Sequence, residues 1–127
     1  MSVKSLETLE AWKKAKEFAL RIYQEVVPLL PPEEKWNLNQ QLRRSSLSIP
    51  ANIAEGYGRS HRGDYLRFLS IAKGSAAELE THLIIAVRLE FISKSEVREC
   101  WDLCQEVAKM LNGLVASLRR STTKTPP

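Results

Sequence analysis

Glu78 and His82 stand four residues apart, and Cys100 and Cys104 repeat that spacing. Four residues is little more than one helical turn, so each pair shares a helix face. Carboxylate–imidazole and thiol pairs of this kind are the raw material of metal centres in helical bundles. A di-iron centre, however, needs paired Glu-x-x-His motifs and further inward glutamates. Here the Glu–His pair has one residue too many between its members, occurs once, and has no counterpart on another helix. A four-ligand zinc site is hard to complete with two histidines in the whole chain. Both pairs therefore read as packing, His82 as a satisfied histidine at the core edge and the cysteines as small hydrophobes. No metal or other cofactor is expected.

The stretch GYGRSHRG (56–63) is rich in glycine, but it is neither a dinucleotide fingerprint after a strand nor a phosphate loop. It reads as a helix end and a turn. No nucleophile, base and orienting acid fall into a pattern, so the chain reads as nonenzymatic.

Charge is the remaining chemistry. The chain has a formal charge of +4. Residues 43–73 hold Arg43, Arg44, Arg59, Arg62, Arg67 and Lys73 against Glu55 and Asp64, while the rest of the chain is balanced. A concentrated basic region can meet phosphate or an acidic protein, or be a solvated surface. Tyr57, Tyr65 and Phe68 are the aromatics near it, and the last two fall on the inward side of the pattern. Phosphate contact without sequence preference, to RNA or DNA, is therefore expected rather than base stacking. Within the same region Arg44, Asn52, Glu55 and Arg59 share one helical stripe. They are either a ligand-facing strip or a structural network, and a single glutamate among arginines favours the network.

Four periodic segments must position these residues. The first repeats Trp12, Ala15, Ala19, Ile22, Val26 and Leu29 at steps of three and four, and stops at PLLPP. Pro32 with Glu33 and Glu34 then reads as the first turn of a second helix. On a helical wheel that helix has Leu38, Leu42, Ser45, Ile49, Ile53 and Gly56 as its seam. Its polar stripe is Asn37, Gln41, Arg44, Ser48, Asn52, Glu55 and Arg59. A second side, mostly apolar or small, holds Trp36, Leu47, Pro50, Ala51, Ala54 and Gly58, interrupted by Gln40 and Arg43, and implies a second packing partner. Pro50 removes the bond to the Ser46 carbonyl, at about 3 kcal/mol in a plain helix interior, and predicts a bend around a neighbour.

The third segment begins at Gly63–Asp64 with Tyr65, Leu69, Ala72, Ala76, Leu79, Leu83 and Ala86 as its seam. Phe68, Ile71, Ile84, Ile85 and Leu89 widen its apolar arc beyond what one partner needs. Small residues in AKGSAAEL predict a close approach by another backbone. The fourth opens on a capping box, Ser93 and Glu96, and continues through Val97, Trp101, Cys104, Val107, Leu111, Leu114 and Leu118. At 22–28 residues each, the helices are roughly 33–42 Å long. Short connections make them antiparallel neighbours, so the fold class is all-α, an up-down-up-down four-helix bundle. Residues 1–120 form this single domain, with 121–127 a disordered tail.

A hydrophobic content of 43% with 27% charged residues fits a globular chain of 127 residues with one core. No apolar run approaches the 18 or so residues of a membrane span, and MSVKSLETLEAW holds no signal-peptide core. The expected compartment is the cytoplasm, with no membrane partner.

The blocks QLRRSSLSIPANIAEGYGRS and FLSIAKGSAAELETHL, with LEAWKKA in the first helix, resemble the four-helix-bundle family of 23S rRNA intervening-sequence proteins. That family is similar to the accessory variability proteins of diversity-generating retroelements. Two departures are visible: LLPPEE replaces a usual Phe-Pro before the second helix, and Leu89-Glu90 replaces a Leu-Gly turn. The resemblance implies a closed homopentamer without established enzymatic activity. Its retroelement relatives are basic accessory subunits that contact a reverse transcriptase and nucleic acid.

Overall fold

The computed structural model describes residues 3–123. Its long helices are α1 (Val3–Arg21), α2 (Leu38–Tyr57), α3 (Arg62–Arg88) and α4 (Lys94–Thr123), and no strand occurs among the described residues. The buried row of α3 is the expected one, residue for residue. An unbroken period of 3.6 with apolar or small side chains at each step leaves α3 no competing inward face. In α2 the expected seam is likewise buried, and Ser46 joins it. The hydroxyls of Ser45 and Ser46 donate to the carbonyls of Gln41 (2.7 Å) and Arg43 (3.0 Å), which lets two polar residues enter the core.

Cross-helix pairs fix the directions. As numbers rise along α2 from Arg44 to Ser48, their α3 partners fall from Glu78 to Ser75. Lys14 and Arg21 of α1 meet Glu106 and Glu99 of α4, again in opposite order. Ser5 meets Tyr57 where α1 begins and α2 ends. Ala76 meets Cys104, while Leu83 and Val97 line one groove nearer the α3–α4 turn. All adjacent pairs are antiparallel, α1 closes on α4, and the bundle is up-down-up-down.

Two local readings need correction. The first helix does not keep its seam to Leu29, which is exposed; Leu30 is buried instead. Pro28 has no N–H to bond back to the preceding turn, which removes one rung of the α-helical ladder, and the winding changes there. The chain rewinds through a π-helical turn (Ile22–Val26) and a 3-10 turn (Val27–Leu29). The wider turn absorbs an extra residue, and Phe18, Ile22, Val26 and Leu30 continue the core in steps of four. Pro32–Glu34 is a separate 3-10 turn rather than the first turn of α2. The Glu34 carboxylate nevertheless reaches the α2 N-terminus, accepting from the Leu38 N–H at 3.2 Å. Within AKGSAAEL, Ser75 and Ala76 meet Ser48 of α2 and Cys104 of α4, whereas Gly74 itself faces open space, with nothing within 4 Å of a Cβ built there. The close approach is at Gly56, where a Cβ would stand 2.8 Å from that of Phe68.

The capping box of α4 is present in both directions: Ser93 N–H to Glu96 Oε1 (2.9 Å) and Glu96 N–H to Ser93 Oγ (3.1 Å). α2 is helical on both sides of Pro50. α4 runs on through residues 121–123, and residues 124–127 of the expected tail lie outside the described residues. None of the described helices is long and apolar enough to cross a membrane.

Candidate nucleic-acid interface

The α2–α3 turn is built around the Gly56 contact. With only a hydrogen at Gly56, α3 draws in close, and Phe68 comes to rest beside the end of α2. There its ring takes the guanidinium of Arg59 at 4.8 Å and that of Arg67 at 4.5 Å, both measured to the ring centroid. Contacts of this kind contribute about 0.5–1 kcal/mol each at exposed sites, and they hold planar cations in place without using their N–H edges. Arg62 stands between them in sequence, exposed in the first turn of α3. Arg62 and Arg67 pair with no carboxylate among the described residues.

The turn is anchored from below. Tyr65 is buried, hydrogen-bonded to the Thr8 hydroxyl of α1, and packed edge-on against Tyr57 at 6.0 Å. Burial raises the Tyr65 phenol above its ordinary pKa, so it stays neutral. Tyr57 in turn meets the Ser5 hydroxyl at 2.5 Å. The arginine cluster thus sits on a platform tied to three helices.

The six cations of the basic window part company in the structure. Arg59, Arg62 and Arg67 gather at the turn. Arg43 is partly buried, donating to Asn39 Oδ1 (2.7 Å) and the Lys35 carbonyl (3.5 Å). Arg44 donates to Gln41 and to Glu78 across the α2–α3 seam. Lys73 is exposed, but six residues beyond Arg67 it is rotated about 240° around α3 and faces the α4 flank. The polar stripe also divides. Arg44 belongs with Glu78, Asn52 donates to Ser48, and Ser75 closes that bond from α3 at 2.8 Å. Glu55 accepts from Arg59 at 2.6 Å, with side chains 55% and 43% exposed. That pair is a surface ion pair, worth less than about 1 kcal/mol.

His82 lies at the core edge as expected, yet it is not satisfied. Its buried Nε2 makes no hydrogen bond among the described residues, because the nearby Glu78 carboxylate, 3.6 Å away, is committed to Arg44. Both cysteines are buried and free. Burial pushes the Cys100 thiol up to about 11 and that of Cys104 to about 12. Both prefer the neutral form in the fold, so their contribution is intact below the ordinary thiol pKa and lost as pH rises through those values. Among the described residues no group of three or more His, Cys, Asp and Glu is arranged around a metal position.

Residues 7–113 match the family model described as 23S rRNA-intervening sequence protein. The chain belongs to that family. The match takes in the whole α2–α3 platform and most of α4. A crystal structure from Bacteroides thetaiotaomicron, described as a protein with unknown function from the S23 ribosomal protein family, is 30% identical in sequence. It covers 87% of this chain and 98% of its own, with a TM-score of 0.79. No curated protein matches.

The feature that sequence reading missed in this intervening-sequence family member is the role of Phe68. Its inward-leaning wheel position suggested core, and it is only partly buried. Arg67 beside it was a visible signal. The second guanidinium comes from another helix, and no local spacing reports it.

Proposed function

We propose that the chain is a nonenzymatic, oligomeric accessory protein that binds nucleic-acid phosphates through Arg59, Arg62 and Arg67 at the α2–α3 turn. One observation carries this reading: two guanidiniums are stacked on Phe68 while Arg62 and Arg67 remain without a carboxylate partner among the described residues. A structural arginine is neutralised within its own fold. Arg62 and Arg67 keep their charge turned outward, and for Arg67 stacking on Phe68 reduces the entropy cost of engaging phosphate, while Arg59 shares its charge with Glu55. The ring faces of Phe68 are already taken up by arginines, so it is no platform for bases. Backbone contact without sequence preference follows.

Assembly belongs to the same proposal, with five copies as the number the resemblance supplies, and it multiplies the cluster on one particle. A reverse transcriptase is the protein partner that the retroelement resemblance suggests. Titration of RNA and duplex DNA at several salt concentrations is the test. Each phosphate neutralised on duplex DNA adds about −0.9 to the log–log salt slope. Arg62→Glu with Arg67→Glu is expected to flatten that slope by roughly two per cluster engaged, at a stability cost of no more than about 1 kcal/mol from the lost Arg67–Phe68 contact. Absence of wild-type binding at low salt would replace this reading with that of a protein-interaction scaffold, which the exposed apolar side chains of α3 also favour.

A further inference from the structure

On the opposite flank from the arginine platform's α2 side, α3 and α4 leave an open groove of about 440 Å³ near their connecting turn. Its floor is apolar. Ile84 is 45% exposed there, and Val87 and Trp101 are partly buried along its walls. Its rim is cationic: Arg88 and Lys94 have no ion pair among the described residues, and Arg98 meets Asp102 at 3.7 Å with its side chain 76% exposed. Three cations therefore face one carboxylate.

We infer that this groove docks an acidic amphipathic helix of a partner protein. Three features select that occupant. From Lys94 to Trp101 the groove follows seven residues of α4, about 10 Å, the span of two helical turns. That length accepts apolar anchors at i, i+3 or i+4, and i+7 of a docked helix. The rim charge then selects acidic residues flanking the anchors and rejects basic ones. The trough is open along its length, so a small amphiphilic acid would leave much of its apolar body in water. A helix instead buries one face and leaves the other solvated. The turn that ends the groove is closed by two backbone hydrogen bonds, Glu90 and Phe91 donating back to Val87 and Ala86 at 2.9 and 3.0 Å. The groove is open in the chain without a partner.

The test uses the full chain in its solution assembly and a fluorescein-labelled helical peptide with Leu at i, i+4 and i+7 and Glu at the flanking positions. Saturable binding by fluorescence anisotropy is expected, weakening as salt rises. The Glu→Lys peptide is expected to lose at least tenfold in affinity. Arg88→Glu with Lys94→Glu is expected to lose at least tenfold for the acidic peptide, with unchanged oligomer mass and helix content. Equal binding of acidic and basic peptides, or no change in the double variant, overturns the proposal. So does decanoate displacing the peptide at concentrations where it binds as a monomer more tightly than the peptide does, which would make the groove a small-acid site. A change of oligomer mass in the double variant also overturns it, by showing the groove to be covered by another copy. Arg62 and Arg67 are intact throughout, so this outcome is independent of nucleic-acid binding.

Discussion

Glu90 has φ 62°, the left-handed region, where an L-residue costs about 1–2 kcal/mol relative to ordinary backbone. The geometry is a Schellman ending to α3: Phe91 N–H bonds to Ala86 and Glu90 N–H to Val87. A glycine is the usual occupant, and the family resemblance flagged its replacement here. The turn keeps its shape all the same, because its two hydrogen bonds and the buried Ile92 beyond it fix the path of the chain. The side chain of Glu90 itself is exposed and makes no hydrogen bond or ion pair among the described residues, so nothing offsets the backbone cost. Glu90→Gly is therefore expected to raise stability by roughly 0.5–1 kcal/mol, the left-handed penalty less the entropy of a freer unfolded chain. Urea melts of the two proteins measure it. An unchanged or lower midpoint would show that the backbone here carries no such penalty. At this scale the family resemblance marked the position, and the positive φ of Glu90 gives the reason glycine is usual there.

Among the elements, legibility followed periodicity. α3 repeats without interruption, and its buried row could be read off directly. The end of α1 could not, because Pro28 acts through a missing N–H and changes the winding, which a wheel of fixed pitch does not represent. The α2–α3 contact lies between these cases. Small residues announced a close approach, but Gly56 and Gly74 look alike in sequence, and only tertiary packing tells them apart. The same substitution at each should act with opposite sign. Gly56→Ala forces a Cβ to 2.8 Å from Phe68 Cβ, with the Tyr65 carbonyl oxygen at 3.2 Å, and is expected to cost roughly 1–3 kcal/mol. Gly74→Ala meets nothing within 4 Å in mid-helix and is expected to gain about 0.5–1 kcal/mol. Thermal melts of both variants check the pair, and a stabilising Gly56→Ala would remove the close-approach account. Since Phe68 is the neighbour that must yield, Gly56→Ala should also loosen the arginine stack and weaken nucleic-acid binding. Pro50 belongs to this scale too: on the proposed reading it bends α2 about an adjoining subunit, with Leu47, Ala51 and Ala54 exposed beside it.

For the whole molecule, the placement of exposed apolar side chains argues for how copies would meet. Leu9, Trp12, Ala54 and Tyr57 line the groove between α1 and α2. Ile71 and Ile85, each 41% exposed, stand seven residues either side of Glu78, which pairs with Arg44 of α2. That line therefore runs down the α2–α3 flank, the adjacent side of the bundle, and the polar stripe of α2 separates the two apolar faces. Two different faces on adjacent flanks suit a heterologous contact that turns as it repeats and closes into a ring, whereas one self-complementary patch would give a two-fold dimer. On the proposed pentamer, light scattering should give five times the 14.5 kDa of one chain. Ala54→Glu and Ile85→Glu should each yield monomers, since each places a charge in one half of every contact. Mixed in equal amounts, the two variants should form a dimer and stop there, because one intact half from each completes a single interface and the other halves are blocked. A wild-type monomer at micromolar concentration would end the ring proposal, and another closed number would revise only the count. Two variants that stay monomeric when mixed would show that the faces do not meet each other, and the heterologous arrangement would have to be given up.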